Sequence, residues 1–72
     1  MHRVLVRQNG KRIADKWIWN TAEAVREFWS WRLNFDELGL FSVRGDEIVV
    51  ELWNYSLFGR KEMKYRDSYF VA

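Results

Sequence analysis

Residues 4–20 read Val-Leu-Val-Arg-Gln-Asn-Gly-Lys-Arg-Ile-Ala-Asp-Lys-Trp-Ile-Trp-Asn, and this stretch decides the fold. Asn9-Gly10 sits between two runs that alternate apolar and polar residues. A two-residue type I′ turn needs φ > 0 at both central positions, and Asn-Gly supplies it at little steric cost, so the stretch predicts a β-hairpin. A two-residue loop pairs Gln8 with Lys11, Arg7 with Arg12, Val6 with Ile13, Leu5 with Ala14 and Val4 with Asp15. In that register one face carries Val4, Val6, Ile13, Trp17 and Trp19. The other carries Arg3, Arg7, Arg12 and Lys16 around Leu5 and Ala14. Asp15 then falls on the apolar side, where a carboxylate needs a partner, so a bulge or a local ion pair is expected there.

Working outward, Asn20 is a good helix N-cap with Glu23 three residues on, and Trp19 is placed to staple onto Ala24. At 100° per residue, Val25, Phe28, Trp29, Arg32 and Phe35 form one stripe, flanked by Ala22, Ala24, Trp31 and Leu33. Arg32 interrupts that stripe and stands four residues before Asp36, within pairing distance on a helix. Gly39 suits the position after the helix end, with Leu40 folding back on Phe35. The remainder reads as strands. Residues 41–43 and 48–55 are joined through Gly45-Asp46, and 63–71 alternates Met63, Tyr65, Tyr69 and Val71 against Glu62, Lys64, Arg66 and Ser68. The expected class is α+β: an N-terminal hairpin, one amphipathic helix, then two or three strands in one sheet with the helix packed on one face. All of residues 1–72 are expected to form a single domain.

The opening Val-Leu-Val-Arg-Gln-Asn-Gly-Lys-Arg-Ile, followed by the helix start Asn-Thr-Ala-Glu-Ala-Val-Arg, resembles the layout of β-grasp domains. Ubiquitin-like proteins and the small immunoglobulin-binding bacterial domains share that layout. Over residues 2–55 the resemblance implies a last strand lying parallel to the first at the centre of the sheet. The chain ends Tyr69-Phe70-Val71-Ala72 without a di-glycine tail, so a ubiquitin-type transfer role is not expected.

Composition narrows the function. The chain has 72 residues, no Cys and no Pro, and five Trp, three Tyr and five Phe must supply most of its core. A chain this short buries only about 60% of the surface its unfolded form exposes. The longest aliphatic runs, Val4-Leu5-Val6 and Ile48-Val49-Val50, are far shorter than the ~20 residues of a membrane span. Neither a signal-peptide core nor a membrane partner is expected, and the absence of Cys fits a cytoplasmic location. Twelve Lys and Arg stand against ten Asp and Glu, a net charge of +2, with both ends basic and the middle acidic. Local asymmetry therefore guides partner choice better than the net value.

Catalysis is not expected. His2 is the sole histidine and lies near a terminus, and no nucleophile, phosphate loop or metal-ligand spacing accompanies it, so no catalytic residue, cofactor or metal site is assigned. Asp46, Glu47 and Glu51 lie close in sequence but read as a solvated turn and strand face. Arg44-Gly45-Asp46 spells an adhesion tripeptide and Asn54-Tyr55-Ser56 a glycosylation acceptor. Both require an extracellular protein and are discounted.

Two features remain. Arg3, Arg7, Arg12 and Lys16 converge on one hairpin face, to which Lys64 and Arg66 are added if the last strand pairs with the first. This basic patch would suit phosphates or simply guard an edge, and a single-strand binder should also show aromatics there. The aromatic surplus is the second feature. Phe28, Trp29, Phe35, Trp17 and Phe41 suit the core, whereas Trp31, Trp53, Tyr55, Leu57 and Phe58 fall where contact with a protein partner, a homodimer seam or a curled core would each use them. The leading expectation is a small stand-alone protein-binding module acting by occupancy. Its size and organisation are similar to phage- or mobile-element-encoded inhibitors of host machinery, anti-CRISPR proteins among them. The alternative is a nucleic-acid-binding accessory protein that uses the basic hairpin face.

Overall fold

Asn9 (φ 52°) and Gly10 (φ 82°) both take the left-handed conformation that the turn demands. They join β1 (His2–Gln8) to β2 (Lys11–Ile18), and α1 (Thr21–Leu33), β3 (Glu47–Tyr55) and β4 (Lys61–Phe70) follow. The computed structural model describes residues 1–33, 45–56 and 58–71. Its strands form one antiparallel sheet in the order β2-β1-β3-β4. The α+β class, the hairpin, the helix and the last two strands, β3 and β4, are as the sequence predicts. The pairing implied by the β-grasp resemblance is not: β1 is central, but its second neighbour is β3, and that pairing is antiparallel.

The hairpin register also differs from expectation. Gln8–Lys11 and Arg7–Arg12 pair as predicted, then the ladder shifts so that Val6 faces Ala14, Leu5 faces Asp15, Val4 faces Lys16 and Arg3 faces Trp17. Ile13 is the extra residue of a bulge. A one-residue slip exchanges the two faces of everything beyond it. The physical reason is Asp15. Without the bulge its carboxylate would lie between sheet and helix, where an unpaired charge is costly. With it, Asp15 turns outward to Arg3, and both Ile13 and Ala14 reach the core.

The core joins Val4, Val6 and Ile18 of the hairpin, Ile48, Val50 and Leu52 of β3, and Ala24 and Phe28 of α1. Asn20 caps the helix as predicted, its Oδ1 accepting from the Glu23 N–H at 3.1 Å. The buried line of α1 runs through Ala24, Phe28 and half-buried Trp31, rotated from the expected stripe, so Trp29 is 44% exposed. Trp29 meets the Phe28 ring edge-on at 5.2 Å instead of entering the core. Trp17 and Trp19, expected on the apolar face, are 49% and 75% exposed because the bulge precedes them. Arg32 bonds Asp67 of β4 and lies 4.5 Å over the Tyr69 ring, tying the helix to the outer strand. The expected partner Asp36, the residues Phe35, Gly39, Leu40 and Phe41, and the strand over 41–43 lie outside the described residues. A second register shift, between Leu52 and Trp53, takes up Lys64, so Met63 does not share a face with Tyr65 and Tyr69.

Two substitutions separate these roles. Phe28→Ala empties the centre of the core and should cost ~3–5 kcal/mol. Arg32→Ala removes a partly exposed pair and should cost only about 1 kcal/mol. Urea unfolding of both variants beside the parent checks the ranking, and equal losses would contradict it.

Candidate macromolecular interface

Directly opposed residues of antiparallel strands share a face, so the pairings sort every strand residue. Val4, Val6, Ile48, Val50 and Leu52 face the helix. On the reverse side one rung crosses all four strands as Trp17, Arg3, Trp53 and Met63. The next rung is Asp15, Leu5, Glu51 and Arg66, and the third is Arg12, Arg7, Val49 and Ser68. Among the described residues no helix or strand covers this face.

The β1–β3 pairing sets Trp53 beside Arg3, and the bulge in β2 adds Trp17 on the other side. Arg3 donates to both Asp15 oxygens, at 2.7 and 2.5 Å, and to the Tyr55 hydroxyl at 3.3 Å. Its guanidinium lies 5.1 Å over Trp17, whose ring packs 4.9 Å from Tyr55 in a tilted geometry. Lys61 stands 5.6 Å over Trp53. Arg12 adds a third bond to Asp15 at 3.0 Å. Arg7 pairs with Glu51, which Arg66 also approaches at 4.0 Å. Glu51 is buried and sits between two guanidinium groups, and buried Leu5 and Val49 lie beneath the larger side chains around them. The face is a lattice of paired charges carrying Trp17, Trp53, Tyr55 and Met63 at one end.

Of the expected basic patch, Arg3, Arg7, Arg12 and Arg66 share this face. Lys16 does not. The register shift turns it to the helix side, where Nζ meets Glu27 at 3.5 Å. Lys64 occupies the β4 bulge and pairs with Glu62 at 3.3 Å, and β4 lies beside β3 rather than β1. Of the expected contact residues, Trp53 and Tyr55 lie on the open face. Phe58 is 94% exposed in the β3–β4 turn, and Leu57 lies outside the described residues. Trp31 is on the opposite side of the sheet, half-buried against the core, with Nε1 donating to Glu27 at 3.1 Å. Sequence reasoning missed Trp17 as a site residue. Its signal was Asp15, whose misfit in the simple register marked the slip.

Asp46 accepts from Gln8 Nε2 at 2.8 Å and Asn9 Nδ2 at 2.9 Å, which fastens the first turn to the start of β3. Among the described residues no group of three His, Asp or Glu is placed to hold a metal ion. His2 accepts or shares a 2.9 Å bond with Thr21 Oγ1, while its Nδ1 is buried with no partner. Burial, then the N-terminal ammonium and Lys64, lower the His2 pKa from its ordinary value. The hydrogen bonds from Arg3 outweigh the opposing effect of burial and hold the Asp15 carboxyl below the usual carboxylate range, and Arg3 is raised in turn. Comparison with protein-family models, with curated proteins and with solved structures gives no match to this chain.

These shifts set two acid-side windows. Folded His2 takes up its proton less readily than unfolded His2, so stability is full above about pH 6.5 and falls as pH drops below it. Asp15 contributes above the unfolded carboxylate pKa of about 3.9, and that contribution is lost as pH falls through its depressed folded value. Thermal melts across the acid range should show both limbs. His2→Gln should flatten the upper limb alone, and Asp15→Asn the lower one from a reduced starting Tm. An unchanged upper limb in His2→Gln would assign that slope elsewhere.

Proposed function

We propose that this protein is a small non-enzymatic binding module that acts by occupancy, holding a protein partner on the open face of its sheet. The observation that carries the reading is the rung Trp17–Arg3–Trp53–Met63, flanked by Tyr55 on a face that no described element covers. Trp, Tyr and Arg are the residues that dominate protein-contact hot spots. The ion pairs of Arg3, Arg7 and Arg12 leave a face of mixed charge, which suits a protein surface better than a uniform run of phosphates. Covering one surface of a larger assembly is also how small mobile-element inhibitors work, and the size and economy of this chain fit that mode.

One observation favours a second reading. The register shift and the β1–β3 pairing together set Trp17, Trp53 and Tyr55 on the face of Arg3, Arg7, Arg12 and Arg66, so the aromatics a single-strand binder needs do share the basic face. Salt separates the two. Phosphate contacts make log K fall steeply and linearly with log salt, whereas a protein hot spot is far less sensitive.

The test uses a partner retained after nuclease treatment and a high-salt wash. Trp17→Ala and Trp53→Ala should each weaken its binding by more than ~2 kcal/mol while the fold persists. Steep salt-dependent binding of a random oligonucleotide, lost in the same variants, would replace the protein reading with the second one. Self-association in sedimentation, abolished by the same substitutions, would make the face a homodimer seam.

A further inference from the structure

The β3–β4 turn presents an aromatic side chain where turn chemistry calls for a polar one. Gly59 N–H donates to the Ser56 carbonyl at 3.1 Å, Ser56 N–H to the Arg60 carbonyl at 2.8 Å, and Arg60 N–H to Ser56 Oγ at 3.2 Å. Gly59, at φ 78°, closes the loop in a conformation other residues resist. The turn is thus held by its own backbone, and Phe58 contributes little to holding it because it is 94% exposed. Its display is a feature of the surface rather than of the fold.

The surroundings say what it fits. Trp19 follows Ile18, which is opposite His2, itself opposite Asn54, so Trp19 (75% exposed) projects from the same end of the sheet. The Met1 ammonium, Arg60, Lys61 and Lys64 lie at this end too, against the carboxylates of Glu62 and Glu23. At the opposite end, beside the Asn9-Gly10 turn, Asp46 and Glu47 balance Lys11 and Arg12 and none of the exposed large hydrophobics of the tip is present. One end of a molecule 41 Å long therefore combines large exposed aromatics with an excess of cations.

We infer that this end is a lipid-docking tip whose ligand is an anionic bilayer surface. Trp and Phe settle at the headgroup boundary, and nearby Lys and Arg gain from the negative surface potential, so no membrane span is needed. Phe58 enters the acyl boundary, Trp19 anchors at the headgroups, and Arg60, Lys61 and Lys64 face the anionic lipid. Of the tip residues Lys61, over Trp53, also borders the open sheet face, whereas Phe58 lies in the turn beyond it, so vesicle binding by Phe58→Ser tests the tip separately from that face.

Cosedimentation with phosphatidylcholine vesicles, with and without about 30% phosphatidylserine, tests it. The chain should partition onto the anionic vesicles and not onto the neutral ones, with a blue shift of tryptophan emission. Phe58→Ser should reduce partitioning about tenfold. Joint Arg60→Gln, Lys61→Gln and Lys64→Gln should lose about fivefold per cation. Parental melting temperatures in these variants would confirm that the tip, not the fold, was changed. Absence of vesicle binding, equal binding to neutral vesicles, or full binding by Phe58→Ser would each overturn the inference. So would loss of a protein partner in Phe58→Ser without vesicle binding, since Phe58 would then be an anchor for a protein pocket.

Discussion

A carboxylate has no place between this sheet and its helix, and the position of Asp15 determines which way the second strand faces. Straight pairing from the Asn9-Gly10 turn would point it inward beside Val4. The bulge at Ile13 turns it outward, where Arg3 and Arg12 bind it. Everything after the bulge follows. Ile18 enters the core, Lys16 reaches Glu27 on the helix, and Trp17 emerges on the reverse face against Tyr55. A single inserted residue thereby yields a sealed core on one side and an aromatic, arginine-rich surface on the other.

The two faces of the sheet achieve burial by different means. Helix α1 covers one with Ala24 and Phe28 over Val4, Val6, Val50 and Leu52. The other has no described covering element, yet Leu5, Val49 and Glu51 are buried on it. There the shielding comes from long side chains fixed by ion pairs, whose aliphatic stems lie over the strands. Such a surface is ordered before any partner arrives. Pre-ordering spares the side-chain entropy that binding would otherwise cost.

Much of the fold was legible in the sequence because local chemistry dictated it. Asn9-Gly10 specified its turn, Asn20 its cap, and the alternation of Ile48, Val50 and Leu52 against Trp53 and Tyr55 the faces of β3. What was not legible depends on distant partners. The neighbour of β1 is set by residues some 50 positions away, and the fold analogy supplied the wrong one. The outward rotation of Trp29 follows from how α1 seats on the sheet, which helical periodicity does not contain. For the candidate site, Arg3, Arg7 and Arg12 were legible as one basic face, and Trp53 and Tyr55 as outward residues of β3. Their joining depends on the distant pairing of β1 with β3, and the place of Trp17 beside them on a bulge whose trace was a misplaced aspartate.

The central position of β1 also bears on how the chain assembles. Residues 2–8 are made before either of the strands they pair with, and they are bonded on one side to β2 and on the other to β3, with Tyr55 N–H donating to the Met1 carbonyl. On a ribosome the hairpin closes early, but one side of Val4-Leu5-Val6 stays open until residues 47–55 emerge. During that interval the apolar run Val4-Leu5-Val6 lies on an exposed edge, the arrangement most prone to pairing with a neighbouring chain. High contact order of this kind slows folding. The exposed edge of β1 therefore lasts for as long as residues 9–55 take to be made.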